Sequence, residues 1–507
     1  MQFGAKSLSA VLAGIIPVTT DEDRQITSLV LDSREVTEGA LFVALKGTQQ
    51  HGLVFADVAI QKGAVAIVWE SDESVSLSES AIPQIEISNL RDQLGLIANR
   101  FYGFPSQSLD MVGITGTDGK TSVSHFIAQA LSDCAVMGTI GIGRLDDLQT
   151  ASLTTPDVIS VHKNLATMKS QGIQHVAMEV SSHALHQGRV EGVEFNVAVL
   201  TNLSRDHLDY HGTVEAYAEA KEQLFKWSNL KAMVVNLDDG FGQRIYQQAM
   251  QLSKKGGGAI TNNATVIPYG VGRVDDYPQG TLVAEKAYFN NQGVSAQLNF
   301  EGRLGELKAS VLGRFNLSNL LAALGAMLAL GETLEDGLLK INQVQTVAGR
   351  MEKISDEVFL TVIDYAHTPN ALEAVLKALG EHLNDKQENN LICVFGCGGD
   401  RDTGKRPIMA KVAEQYADVV IVTDDNPRSE SPQIIMQDIV AGFDKPNVVI
   451  VEHDRATAIQ IALSQAEQGD AVLIAGKGHE NVQILATGTI PFSDRQQANK
   501  VLQELAA

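Results

Sequence analysis

Gly113-Ile114-Thr115-Gly116-Thr117-Asp118-Gly119-Lys120-Thr121-Ser122 follows an apolar, β-branched run from Met111 and opens a helical pattern at Val123, Phe126, Ile127, Ala130 and Leu131. Strand, tight loop and helix in that order are what a phosphate-binding loop requires. Gly116 and Gly119 let the backbone turn its N–H groups toward a polyphosphate. Lys120 adds a point charge, and Thr121 offers a hydroxyl to Mg²⁺. ATP is the expected ligand, held by Gly116, Thr117, Asp118, Gly119, Lys120, Thr121 and Ser122. The spacing departs from the usual pattern, because Ile114 stands five positions before Gly119, where a glycine is the rule.

A length of 507 residues suggests about three domains at roughly 150 residues each. With 44% hydrophobic and 20% charged residues the chain reads as globular rather than disordered. A net charge of -22 argues against nucleic acid or an anionic membrane as partner, since the long-range field repels polyanions. Three cysteines, Cys134, Cys393 and Cys397, are too few for a disulfide framework and fit a reducing compartment. Cys393 and Cys397 lack a second ligand pair nearby, so they read as packing beside a glycine turn and not as a zinc site. The apolar run Leu320 to Leu330 falls well short of the roughly 20 residues of a membrane span and predicts a core helix. Leu8 to Val18, interrupted by Ser9 and Gly14 and ended by Pro17, predicts an amphipathic first helix. A cytoplasmic monomer with no membrane insertion is expected.

Strand-like runs alternate with helix-like segments, the pattern of parallel α/β layers. Boundaries after residues 108 and 347 give regions 1–108, 109–347 and 348–507. The Gly/Asn-rich segment Lys254 to Asn263 and the runs near Leu282 and Val294 predict an antiparallel addition, with hairpin turns at Asn290-Asn291 and Glu301-Gly302. In the last region four strands run into polar loops: D-Y-A-H-T-P, G-C-G-G-D-R-D, D-D-N-P-R and G-K-G-H-E. Ligands of open parallel sheets bind beyond the strands' carboxyl ends, so these loops predict a second binding edge. An ATP loop in one region and a ligand edge in another suggest that a carboxylate is phosphorylated to an acyl phosphate and then joined to an amine. Such chemistry relies on positioning and charge neutralisation.

The motifs T-G-T-D-G-K-T-S, M-E-V-S-S-H (Met178 to His183), T-N-L-S-R-D-H-L-D-Y-H-G (Thr201 to Gly212), G-R-F-N-L-S-N (Gly313 to Asn319), G-R-M-E (Gly349 to Glu352) and D-Y-A-H-T-P (Asp364 to Pro369) together resemble the Mur ligases. Leu31 to Arg34 (L-D-S-R), G-C-G-G-D-R-D and D-N-P-R (Asp425 to Arg428) are similar to its diaminopimelate-adding members. The resemblance runs through the whole chain in order. It implies an α/β, three-domain architecture: a uridine-nucleotide domain, a central P-loop ATPase domain and a Rossmann-like carboxyl-terminal domain. It also implies ATP-dependent joining of meso-2,6-diaminopimelate to UDP-N-acetylmuramoyl-L-alanyl-D-glutamate in peptidoglycan precursor synthesis, with Mg²⁺ as cofactor.

Carried over residue by residue, the resemblance implies that Leu31, Ser33, Thr48, Gln49 and Gln50 hold the UDP moiety. Thr154, Thr155, Ser181, Gln187 and Arg189 would hold the muramoyl-peptide end, although Leu153 replaces an Asn common in the family. Asp118 likewise replaces an Asn, and either Mg²⁺ coordination or an outward orientation would account for it. Thr121 and Glu179 would bind Mg²⁺, with His207 and a carbamylated Lys221 joining a second metal site. By itself, D-H-L-D-Y-H also reads as a solvated turn, and Lys221 in A-E-A-K-E as a helix-surface lysine. Asn316 and Asn319 would contact adenine, Asn319 alternatively capping a helix, with Arg350, Asp364 and His367 on the nucleotide side. Arg401, Asp425, Asn426, Pro427, Arg428, Gly476 and Glu480 would bind the amino acid. An Arg fork suits the extra carboxylate of diaminopimelate, and Glu480 its distal ammonium.

Three competitors have discriminating features. A lysine-adding ligase should lack Arg428, a folylpolyglutamate-synthase-like enzyme should lack the L-D-S-R region, and a P-loop kinase or nucleotide-dependent binding protein would never form an amide.

Overall fold

The computed structural model describes residues 3–47, 50–72, 75, 80–255, 264–383 and 388–506. Thr48, Gln49 and residues 256–263 of the Gly/Asn-rich segment lie outside the described residues. The chain forms two compact units, Met1–Val235 with Asp239–Ile267, and Asn236–Asp238 with Pro268–Ala507.

The first unit opens on a four-stranded parallel sheet in the order Ser28–Val30, Ala40–Ala44, Ala64–Glu70, Gln84–Ile87. Alternation with period two sends Leu41 and Val43 to one face, against the helix Leu90–Phe101, and Ala40, Phe42 and Ala44 to the other. The predicted first helix is a correction. Only Leu8–Val11 is helical, with Ser7 as its N-cap, and Gly14 then takes a left-handed φ of 72°. A left-handed residue cannot continue a helix, so the apolar periodicity beyond Gly14 is not helical.

The same unit carries a sheet in which Asp110–Thr115 lies between His175–Glu179 and Val197–Leu200, all parallel. Cys134–Met137 flanks His175–Glu179, and Ala232–Asn236 flanks Val197–Leu200. Buried on both faces, these strands are mostly apolar, with Thr115, Glu179 and Asn236 the buried polar residues at their carboxyl ends. Ile114 is explained by this sheet. It is a completely buried strand residue paired with Glu179, and the loop begins only at Gly116. Gly113 serves packing, since a Cβ there would meet the Phe195 ring at 2.9 Å.

In the second unit, Leu282–Asn290, Gly293–Phe300 and Arg303–Ala309 form antiparallel hairpins at the two predicted turns. Arg314–Ala329 is the expected core helix, with Leu320, Leu321 and Leu324 fully buried. A further sheet runs in the order Glu352–Ser355, Leu360–Asp364, Ala471–Ala475, Leu391–Phe395, Val419–Val422, Ile450–Val451, parallel except for its first strand. Cys393 and Phe395 point into one apolar layer with the helices Pro369–His382 and Lys405–Tyr416. Ile392 and Val394 point into the other with Arg455–Gln465 and Asp494–Ala506. This is a doubly wound sheet, and its four polar loops all follow carboxyl ends. The three cysteines are free and buried, and burial pushes the Cys393 thiol up to about 12, so it is inert packing. Among the described residues no helix is long and apolar enough to cross a membrane.

Candidate active site

Strand order puts Glu179 and Thr201 on either side of the loop that follows Thr115. Gly116 (φ 150°) and Gly119 (φ 82°) turn the chain into the helix Lys120–Ala130, whose first N–H groups lack intrahelical partners. A Cβ on Gly116 would lie 1.8 Å from Thr201 Oγ1, so only glycine fits. The T-N-L-S segment braces the loop. Thr117 N donates to the Asn202 carbonyl (3.0 Å), Asp118 N to Asn202 Oδ1 (3.0 Å) and Thr201 Oγ1 to the Asp118 carbonyl (2.6 Å). Asp118 itself is exposed, in keeping with the outward orientation.

Lys120 Nζ donates to the Gly116 and Thr117 carbonyls at 2.9 and 2.8 Å. Lys221 Nζ donates to the same Gly116 carbonyl at 2.7 Å. The surface reading of Lys221 is therefore wrong. The residue is 1% exposed and lies over the Tyr217 ring at 4.5 Å, because the helix Val214–Glu222 turns this face inward. Burial, then the Lys120 charge, hold its amine well below the usual lysine range.

Glu179 is fully buried, and uncharged donors hold its carboxylate. Oε2 accepts from Thr121 Oγ1 and Thr139 Oγ1, both at 3.1 Å, and Oε1 accepts from Thr139 N at 2.9 Å. A buried carboxylate beside hydroxyls is a hard-oxygen set that fits Mg²⁺. Among the described residues no three His, Cys, Asp or Glu side chains form a ready metal cage. His207 stands apart from the Glu179–Thr121 pair in its contacts. Its ring meets those of His183 (4.8 Å) and Tyr217 (6.1 Å) edge-on, with Nε2 3.4 Å from Asp206 Oδ2.

The five residues expected at the muramoyl-peptide end are joined. Thr139 Oγ1 and Thr154 Oγ1 lie 3.0 Å apart, and Thr155 Oγ1 donates to the Glu179 carbonyl at 2.8 Å while accepting from Ser181 N. Arg189 donates to the Thr155 carbonyl and, through Nε and a terminal nitrogen, to Gln187 Oε1. Tyr210 OH accepts from Gln187 Nε2 at 2.9 Å. Leu31 and Ser33 follow one strand of the first sheet, and Gln50 lies on the loop after its neighbour; Thr48 and Gln49 are not among the described residues.

In the second unit Asn316 and Asn319 are buried, Asn319 Nδ2 donating to Asn316 Oδ1 at 3.0 Å. The helix starts after Gly313, so Asn319 is interior and caps nothing. Asp364 receives the N–H groups of Met351 and Ala366, both at 2.7 Å. The Arg350 guanidinium lies 4.9 Å over the Tyr365 ring, which also contacts His367 at 4.7 Å. At the facing loops Arg428 takes a left-handed φ of 54° and donates to the Gly399 carbonyl at 2.9 Å. Its N–H reaches the Ile484 carbonyl, so D-N-P-R is anchored and is more than a simple proline turn. Gly476 (φ 116°) is pressed against Asp425, whose Oδ2 would be 2.6 Å from a Cβ there. Glu430 N donates to the Pro427 carbonyl, and Arg401 is exposed beside Asp400. Glu480 Oε2 accepts from Asn426 Nδ2 at 3.0 Å and lies 3.3 Å from Lys477 Nζ.

Three family profiles cover successive parts of the chain: Mur ligase family, catalytic domain, over residues 25–102; Mur ligase middle domain over 114–327; and Mur ligase, glutamate ligase domain, over 349–478. The UDP-N-acetylmuramoyl-L-alanyl-D-glutamate--2,6-diaminopimelate ligase of Ectopseudomonas mendocina (strain ymp) is 46% identical over 94% of this chain and 95% of its own. The chain belongs to the Mur ligase family. A second relative of that name, from Coxiella burnetii, is 45% identical over 95% of this chain and 96% of its own. A solved structure of a ligase of that name superposes with a TM-score of 0.73 at 34% identity, covering 99% of this Mur ligase and all of the other chain.

Several residues that touch the candidate site residues of this Mur ligase were not singled out from the sequence. Thr139, Asn202, Tyr210, Tyr217, Tyr365 and Lys477 gave no local signal of a role. Asn202, Tyr210, Tyr365 and Lys477 lay inside motifs already singled out, and adjacency to a strand end was the one available clue.

Proposed function

We propose that this chain is an ATP-dependent, amide-forming ligase that adds meso-2,6-diaminopimelate to UDP-N-acetylmuramoyl-L-alanyl-D-glutamate through an acyl phosphate, in peptidoglycan precursor synthesis. The observation that carries the reading is the braced loop with two lysines on the Gly116 carbonyl, in a chain 46% identical to a ligase of that name. In this reading the Lys120 charge offsets that developing on the transferred phosphoryl group, an electrostatic preorganisation from which such enzymes gain most of their rate.

In this reading the functional regions are 1–108 for the uridine nucleotide, 109–347 for ATP and 348–507 for the amino acid, in a cytoplasmic monomer. Arg189, held by Gln187, neutralises the acyl substrate's charge, and Asn316 and Asn319 present amides to adenine. Arg350, whose guanidinium lies over the Tyr365 ring, would meet the polyphosphate, with Asp364 and His367 on the nucleotide side. Thr121 and Glu179 would hold Mg²⁺, with His207 and Lys221 at a second ion, and the ion would neutralise the polyphosphate. The neutral amine that burial favours at Lys221 is the form that adds to CO₂, giving a carbamate and releasing a proton. That converts a nitrogen donor into oxygen ligands. Arg401, Arg428 and Asp425 to Pro427, with Gly476 and Glu480, read the amino acid's charged ends.

Phosphate release tests the reading. It should require the UDP-muramoyl dipeptide and an amino acid together, and in a panel meso-diaminopimelate should support it far better than lysine. Release with ATP alone, or a preference for lysine, would overturn it.

A further inference from the structure

Lys477 sits in G-K-G directly after the strand Ala471–Ala475, between two glycines at φ 116° and 54°. That doubly left-handed turn drives the lysine inward, and its side chain is completely buried. Its Nζ donates to Asn426 Oδ1 at 2.8 Å, lies 3.3 Å from Glu480 Oε2 and 3.9 Å from Asp425 Oδ1. An ammonium has three donors and is costly to bury, so a site that keeps one supplies acceptors on several sides. All three acceptors belong to the loops assigned above to the amino acid.

The hydrogen bonds fix direction as well as charge. Asn426 Oδ1 also accepts from Ile484 N at 3.0 Å, so its amide cannot flip without losing two donors. Its Nδ2 must therefore face Glu480, to which it donates. Glu480 Oε2 thus takes Lys477 and Asn426, while the side chain stays 30% exposed.

We infer that Lys477 is a positioning residue, pinning one oxygen of Glu480 so that the other faces the bound amino acid's distal ammonium. The inference rests on the amino-acid site proposed above. It has a consequence that a freely rotating Glu480 would not have. In Glu480→Gln the pinned acceptor must be the amide oxygen, which turns the NH₂ group toward the substrate ammonium, donor against donor.

Steady-state KM values for meso-diaminopimelate, ATP and the UDP-muramoyl dipeptide test this in Glu480→Gln, Glu480→Ala and Lys477→Met. Both Glu480 variants should raise the diaminopimelate KM by roughly tenfold or more, with the glutamine variant worse than alanine by about fivefold, the worth of one net hydrogen bond. Lys477→Met, if folded, should raise the same KM while leaving the ATP KM unchanged. Should it fail to fold, the Glu480 pair decides. A glutamine variant equal to or better than alanine overturns the pinning and leaves the site assignment intact. Unchanged KM in both Glu480 variants overturns the site assignment and the inference together.

Discussion

Lys120 and Lys221 share one carbonyl but differ in environment, and their predicted phenotypes differ accordingly. Lys120 is half-buried at a helix start, so Lys120→Ala should melt like the parent yet release phosphate at least ~100-fold more slowly, the scale of losing one preorganised donor. Near-normal turnover would remove the loop assignment. Lys221→Ala should be inactive and partly restored by a short carboxylic acid such as acetate, assayed as phosphate release. Full activity without the acid would show that no carbamate is needed. Arg428 reads the distal carboxylate in this account. Losing a charged hydrogen-bond partner costs about 1.5 to 3 kcal/mol, so Arg428→Ala should lower kcat/KM for meso-diaminopimelate by roughly ten- to several-hundred-fold. Weak lysine activity should stay nearly constant, and an equal fall for both amino acids would make Arg428 structural.

The phosphate loop is held from outside itself, through Thr201 and Asn202 on the neighbouring strand's end. Gly116→Ala would place a methyl against Thr201 at a backbone angle that side chains rarely adopt. Calorimetric titration with a non-hydrolysable ATP analogue should show binding lost in that variant. Gly212→Ala offers a control, with φ 78° but open space around it. Equal affinities in the two variants would mean that the close approach to Thr201 is irrelevant. The short amino-terminal helix carries a related lesson. Leu8 to Val18 has the periodicity of a longer helix, but the helix is already capped at Leu12, and the left-handed Gly14 keeps it from resuming.

For the whole chain, the proposal requires sustained ADP formation to depend on ATP, the UDP-muramoyl dipeptide and the amino acid together. A mixture lacking the amino acid should give no sustained turnover, and continuous ADP release from it would favour a kinase instead. Much of this was legible beforehand. The strand, loop and helix around Gly116, the hairpins at Asn290 and Glu301, and the strand ends carrying the polar loops all follow from local periodicity and turn chemistry, which a linear sequence records directly. The resemblance supplied the candidate site residues, and the tertiary structure removed some of the bland alternatives to them. The surface alternative for Lys221 arose because A-E-A-K-E is locally polar, and only packing against Gly116 and Tyr217 buries the residue. Thr139, Asn202, Tyr365 and Lys477 matter through partners distant in sequence, and no local pattern encodes such a pairing. Sequence by itself determined which segments become strands, helices and glycine turns, because backbone preference is a short-range property. The order of the parallel strands decided which loop ends meet, and with that which charges are buried, paired or left facing a ligand.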